Sequence, residues 1–95
     1  MNNEELTSWT IGEYLDTPEM IREYINVAIE ENDPNLLRIA LGDVAKAQGM
    51  TEIAKKAHVS RQNLYKAFSS GGNPTLDTIN KVVGALGLKL KVEVA

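Results

Sequence analysis

The stretch MTEIAKKAHVSRQNLYKAFS, residues 50–69, contains two short amphipathic patterns with a break between them. Its apolar residues follow helical spacing as far as Ala57, the pattern breaks across His58-Val59-Ser60, and helical spacing starts again from Leu64. Two short helices joined by a three-residue turn bury both apolar faces only if they cross steeply, which predicts a helix-turn-helix unit over residues 50–69. The second helix opens with Ser60, Arg61, Gln62 and Asn63, which can all hydrogen-bond phosphates or base edges. DNA is therefore the leading candidate ligand.

The residues of the turn support this interpretation. Ala54 is small enough for the two helices to approach closely, and Val59 can fill the corner between them. Ser60 is a good N-cap for the second helix, because its hydroxyl can accept a hydrogen bond from a free amide of the first turn. His58 stands where such turns usually have glycine, at a position that often needs a positive φ, and histidine is one of the few other residues enriched there.

The charges of the chain are divided between its two halves. The net charge is −3 overall, but residues 1–43 carry −8, with Arg22 and Arg38 against ten acidic residues, and residues 44–95 carry +5. Such asymmetry suggests two partners of opposite charge, a polyanion for the basic half and a basic protein for the acidic half. The alternative is that the charges only solvate outward faces.

Three further helices are predicted from start signals and apolar stripes. Thr17-Pro18, Asp33-Pro34 and Pro74-Thr75 mark the starts, and Gly49 and Gly87 mark two of the ends. The residues expected to face inward are Ile21, Tyr24, Ile25, Ala28 and Ile29, then Leu37, Ala40, Leu41, Val44 and Ala45, then Leu76, Ile79, Val82, Val83 and Leu86. We therefore expect an N-terminal arm with a short helix over residues 1–16 and an all-α, five-helix domain over residues 17–87.

The last segment, residues 88–95, changes period. Leu88, Leu90, Val92 and Val94 alternate with charged residues, which predicts a short half-buried C-terminal β-strand. No other segment has a comparable pattern, so we expect this strand to pair with its copy in a dimer or with a partner protein. The alternative is a tail that lies on the chain's own helices.

Composition excludes several classes of function. There is no cysteine and only one histidine, so we expect no disulfide, no metal site and no cofactor. No Ser/His/Asp or Cys/His set and no phosphate-binding glycine loop is present, which predicts that the protein is not an enzyme. No apolar run approaches the ~20 residues of a membrane span, and no basic leader precedes an apolar stretch. We therefore expect no membrane association and a cytoplasmic location.

Four motifs give the chain a more specific resemblance: EYLDTPEMIREYIN (13–26), NDPNLLRIALGDVAKAQGMTEIA (32–54), SRQNLYKAFS (60–69) and GNPTLDTINKVVGALGL (72–88). The helical part resembles the Xre/Cro-type, lambda-repressor-like DNA-binding domain, and the run from Glu13 to Leu90 resembles the HigA-like addiction-module antidote family. The resemblance implies an antitoxin of a type II toxin–antitoxin module. Such a protein represses its own operon by binding double-stranded operator DNA and blocks a RelE/HigB-like toxin, usually a small basic ribonuclease. The alternatives are an Xre-type transcriptional repressor without a toxin partner and an adaptor that binds only protein.

The same resemblance implies the DNA-binding residues, because the first turns of the recognition helix reach the major groove in Xre-type domains. Arg61 would suit guanine, Gln62 adenine and Ser60 a phosphate, while Lys66 would reach either a base or the backbone. The full candidate set is Thr51, Ser60, Arg61, Gln62, Tyr65 and Lys66. A homodimer on an inverted repeat is expected, although Glu52 would repel DNA near Thr51.

The acidic half supplies candidate toxin contacts. They are Glu13, Asp16, Glu19, Glu23, Glu30 and Glu31, whose negative charge could compete for the cationic surface that a ribonuclease uses to hold RNA. Trp9 and Tyr14 are candidate apolar anchors, or else part of the core.

Overall fold

The computed structural model describes residues 15–95, which form five α-helices and no β-strand. The helices are α1 (Pro18–Glu30), α2 (Pro34–Gln48), α3 (Met50–Ala57), α4 (Arg61–Phe68) and α5 (Leu76–Ala85). Within residues 15–95, the predicted all-α architecture of five helices is confirmed. None of these helices is long and apolar enough to cross a lipid bilayer. The predicted short helix of the N-terminal arm, with Trp9, Glu13 and Tyr14, lies outside the described residues.

Side-chain caps begin four of the helices, and the cap of α4 is Ser60. Thr17, Asp33 and Thr75 accept hydrogen bonds at 3.2, 2.9 and 3.1 Å from backbone amides in the first turns of α1, α2 and α5. Pro18 and Pro34 are the first residues of α1 and α2. Proline suits that position because its ring fixes φ near the helical value and its missing N–H would have no partner there.

Helix α2 is the centre of the core, because it packs against each of the other four helices. Leu41 and Val44 of α2, Leu64 of α4 and Val82 of α5 are completely buried. Burying one such side chain stabilises the fold by about 1.5–3 kcal/mol. Gly42 of α2 lets α4 approach closely, since a Cβ at that position would lie 3.3 Å from the Cβ of Phe68.

Two residues that we expected to face inward are exposed. Ile29 has 47% of its surface exposed and Leu76 has 72%. Ile29 lies in the last turn of α1 and Leu76 is the first residue of α5. A periodic pattern indicates which side of a helix a residue lies on, but not how far along the helix its apolar face is covered by neighbouring helices. Both predictions were therefore wrong, and both residues lie at helix ends.

The turn between α3 and α4 follows from the backbone conformation of His58. This residue has φ 57° and ψ 42°, the left-handed conformation expected from the sequence. The amides of His58 and Val59 donate to the carbonyls of Lys55 and Ala54 at 3.2 and 3.1 Å, which is a Schellman ending. These bonds satisfy two carbonyls at the end of α3 and turn the chain into α4.

A polar contact joins α1 to α2. The Tyr24 hydroxyl donates to the Asp43 carboxylate at 3.3 Å across the helix pair. Burial, together with the neighbouring negative charge and this hydrogen bond, raises the pKa of Tyr24 above its ordinary value of 10.0. This bond adds a specific polar contact to the apolar packing of α1 against α2.

The predicted C-terminal strand over residues 88–95 is wrong for the chain as the structure describes it. Helix α5 ends at Ala85, Gly87 follows with φ 82°, and the Leu88 amide donates to the Val83 carbonyl at 3.1 Å. Leu88 packs half-buried against the core, while Val92 and Val94 are 96% and 101% exposed. A strand needs a neighbour for its backbone hydrogen bonds, and residues 15–95 contain no second strand that could provide them.

The left-handed turn can be tested by substitution at His58. We expect His58→Val to lower the free energy of unfolding by about 1–2 kcal/mol, because a β-branched residue is strained at this φ. His58→Gly serves as the matched control and should be at least as stable as the original protein, since glycine adopts a positive φ without strain. Urea denaturation of the three proteins measures the difference, and equal stability of the Val and Gly variants would contradict the turn geometry.

Candidate nucleic-acid interface

Helix α4 has one buried face and one polar, exposed face. Leu64 and Phe68, four residues apart, point into the core. Four candidate residues are exposed on this helix: Arg61, Gln62, Tyr65 and Lys66. The last three follow Arg61 by one, four and five positions, which places all four on a common side of the helix. The structure thus brings together four of the six predicted DNA contacts.

Arg61 and Tyr65 form a pair along this face. One guanidinium nitrogen of Arg61 donates to the Tyr65 hydroxyl at 3.4 Å, and the guanidinium carbon lies 5.5 Å from the centroid of the tyrosine ring. A cation–π contact at an exposed site contributes about 0.5–1 kcal/mol. Tyr65 therefore restrains the direction of Arg61 while most of the five guanidinium N–H donors stay available to a ligand.

The other two candidates lie at the starts of helices. Ser60 caps α4, because its hydroxyl oxygen accepts a hydrogen bond from the Asn63 amide at 3.0 Å. Its hydroxyl proton is still available to donate to a phosphate oxygen. Thr51 is exposed in the first turn of α3, where the capping residue Gly49 provides no side-chain hydrogen bond. Uncapped amides at a helix start attract anions.

Charge around the helix pair is predominantly positive. Residues 50–69 contain Lys55, Lys56, Arg61 and Lys66 against the single acidic residue Glu52. All five of these side chains are exposed. The local surface is therefore cationic in a chain whose net charge is −3, although Glu52 shares the first turn of α3 with Thr51.

Arg38 of α2 holds the C-terminal end of α4, a role not predicted from the sequence. Its terminal nitrogen Nη1 donates to the carbonyls of Ser69 at 2.7 Å and Phe68 at 3.4 Å. A cation at a helix C-terminus also interacts favourably with the helix dipole. Arg38 is separated from these carbonyls by about thirty residues in sequence, so no local pattern could have indicated the contact.

The loop after α4 closes against the same helix end. The Gly72 amide donates to the Ser69 carbonyl at 2.8 Å, and a Cβ at Gly72 would collide with the carbonyls of Lys66 and Ala67. The Ser69 hydroxyl donates to the Lys66 carbonyl, also at 2.8 Å. Together with Arg38, these contacts fix the end of α4 while its polar face stays open.

The candidate toxin contacts lie on α1 and its flanks. Asp16, Glu19, Glu23, Glu30 and Glu31 are all exposed, and Glu13 lies outside the described residues. Glu23 makes an exposed ion pair with Arg22 at 3.1 Å. Helix α2 packs against both α1 and α4 and therefore connects the acidic and the basic surfaces. Within residues 15–95, no three His, Asp or Glu side chains are grouped to hold a metal ion.

Comparison with known proteins gives the family. The model of a family described as "Probable addiction module antidote protein" matches residues 5–94. The chain belongs to this antidote family. An uncharacterized protein of Haemophilus influenzae, strain Rd, is 42% identical over 90 residues, which cover 95% of this chain and 93% of that relative. No solved structure shows significant similarity to the chain. Membership of the antidote family supports the predicted antitoxin role and implies a toxin partner in general.

The contact of Arg38 with α4 can be measured against a second arginine. We expect Arg38→Met to lower the free energy of unfolding by about 1.5–3 kcal/mol, since the hydrogen bonds from a charged donor to the end of α4 are lost. Arg22→Met removes the same charge from an exposed ion pair and should cost less than about 1 kcal/mol. Denaturant unfolding of both variants provides the measurement. Equal losses would show that Arg38 does not fix the end of α4.

Proposed function

We propose that this member of the antidote family is the antitoxin of a type II toxin–antitoxin module. It binds operator DNA to repress its own operon and neutralises a RelE/HigB-like toxin. The observation that carries the DNA part is the exposed polar face of α4, whose opposite face is buried and whose C-terminal end is held by Arg38. Catalysis is not part of the proposal, because an antidote acts by binding.

Helices α3 and α4 act in this proposal as the helix-turn-helix of an Xre/Cro-type, lambda-repressor-like domain. The major groove, about 12 Å wide, admits α4 with its polar face toward the bases. Arg61 would take guanine and Gln62 adenine through paired hydrogen bonds, and Lys66 would reach a base or the backbone. Ser60 and Thr51 would contact phosphates and position the helix.

Two copies of the chain would bind the operator together. Recognition helices enter successive major grooves on one side of the duplex when they lie about 34–36 Å apart, so we propose a homodimer on an inverted repeat. Leu90, Val92 and Val94 of the C-terminal segment are exposed apolar side chains that a contact between copies could cover.

The DNA proposal is tested by gel shift on the region upstream of the gene. We expect a complex with two chains per inverted repeat, and its affinity should fall steeply with salt because bound counterions are released. Arg61→Ala and Gln62→Ala should each cost about 1–3 kcal/mol and relax the preference at one base pair of each half-site.

Arg22→Ala is the control, because it removes the same charge from α1 and should leave binding unchanged. Absence of binding at low salt by the folded protein would eliminate DNA as the ligand. Original affinity in both the Arg61 and Gln62 variants would show that α4 is not the recognition helix.

The toxin part of the proposal is supported by the family and by charge. The exposed carboxylates on and beside α1 form an acidic surface that suits a cationic ribonuclease. They are Asp16, Glu19, Glu23, Glu30 and Glu31. Glu13 is a further candidate from the sequence. Complementary charge speeds association and selects the partner. The toxin would then be held by the part of the chain that precedes the DNA-binding helices.

Co-expression with the small gene adjacent to this one tests the toxin proposal. We expect that gene to arrest growth when expressed alone, and we expect this protein to restore growth and to co-purify with its product. The matched control is an unrelated acidic protein of similar size, which should do neither. A harmless neighbour whose product does not co-purify would favour a transcriptional repressor without a toxin partner.

A further inference from the structure

An apolar patch is exposed on the helical hairpin formed by α1 and α2. Val27 of α1 is 62% exposed, and Leu36 and Ile39 of α2 are 39% and 45% exposed. We call these three residues the hairpin patch. Large aliphatic side chains left in water near one another often mark a protein interaction site.

The hydrogen bond between Tyr24 and Asp43 places the three residues on one side of the hairpin. Helices α1 and α2 pack together and are joined by only three residues, so they run antiparallel. On α1, Val27 follows Tyr24 by three residues and therefore lies on the same helix face as Tyr24. On α2, Ile39 and Leu36 precede Asp43 by four and seven residues and therefore lie on the same face as Asp43. The hairpin patch therefore continues from this bond toward the connection between the helices.

Acidic residues surround the patch on α1. Glu23 precedes Val27 by four residues, and Glu30 and Glu31 follow it by three and four. This spacing makes them its neighbours on the helix surface. All three are exposed. Arg22 is paired with Glu23, and Arg38 donates to the end of α4. Arg22 therefore offsets the charge of Glu23, whereas Glu30 and Glu31 have no ion-pair partner among residues 15–95 and keep the surface beside the patch negative.

We infer that the hairpin patch is the apolar centre of the surface that binds the toxin, with Glu23, Glu30 and Glu31 as its acidic rim. The inference rests on the proposed antitoxin function and adds the place and the chemistry of the contact. The partner it fits is a basic protein that presents apolar side chains between its cationic ones. Interfaces of this kind take most of their affinity from a few buried central residues, while the charged rim steers association.

Electrostatics decides between this partner and two others. A two-fold contact between copies of the chain would place the same patch against itself, so that the acidic rims would face each other. DNA would be repelled by the same carboxylates. Only a cationic partner gains from both the apolar centre and the negative rim.

The experiment measures the affinity of purified variants for the product of the adjacent gene. Val27→Asn and Ile39→Asn should each weaken this binding at least about tenfold, because they place an amide in the desolvated centre of the contact. Ile39→Thr is a milder second variant. Leu76→Asn changes another exposed apolar residue, on α5 and outside the patch, and should leave the affinity unchanged.

Operator binding by each variant, together with its circular dichroism, shows that the fold and the DNA surface are retained. If the original protein does not bind the product at all, the proposed function fails. If the original protein binds and the Val27 and Ile39 variants bind as well as the Leu76 variant, the toxin contact lies elsewhere and the inference is wrong. If Ile39→Asn converts a dimer into a monomer with toxin binding intact, the patch is a contact between copies.

Discussion

The burial of helix α2 is the constraint on which the rest of the structure depends. Leu41 and Val44 are completely enclosed, and the helix that carries them packs against all four others. Its remaining surface then has two different tasks. Asp43 meets Tyr24 of α1, and Arg38 meets the end of α4. A single central helix therefore positions both the acidic hairpin and the basic helix pair.

The position of α4 relies on contacts that leave its polar face untouched. Leu64 and Phe68 hold the helix to the core, Arg38 and Gly72 fix its C-terminal end, and Ser60 caps its start. Arg61, Gln62 and Lys66 are consequently presented on a helix that need not rearrange to meet a ligand. Presenting side chains from a preorganised helix reduces the ordering cost of binding, which is what a DNA reader in the proposed role requires.

Local chemistry was predictable from the sequence, and contacts between distant residues were not. The caps at Thr17 and Asp33 and the left-handed turn at His58 depend on a few adjacent residues, and each is where the sequence indicated. Arg38 was missed because its partners lie about thirty residues away. The strand predicted over residues 88–95 failed for a related reason: alternation describes which side chains could share a face, but a strand also needs a neighbouring backbone. For the candidate site residues on α4, helix periodicity was enough to predict that they are exposed on one side. The contact of Arg61 with Tyr65 could not be predicted in this way, because it depends on the side-chain conformations.

Separation of charge lets an acidic chain serve two partners of opposite sign. The molecule measures 36 × 34 × 27 Å along its principal axes, while charges in physiological salt are screened over about 8 Å. A polyanion beside α4 therefore responds to Lys55, Lys56, Arg61 and Lys66 more than to any carboxylate that lies beyond this screening length. A cationic protein on α1 responds to Glu23, Glu30 and Glu31 in the same way. The net charge of −3 is thus a poor guide to what either surface binds, because each partner experiences only the charges within its own reach.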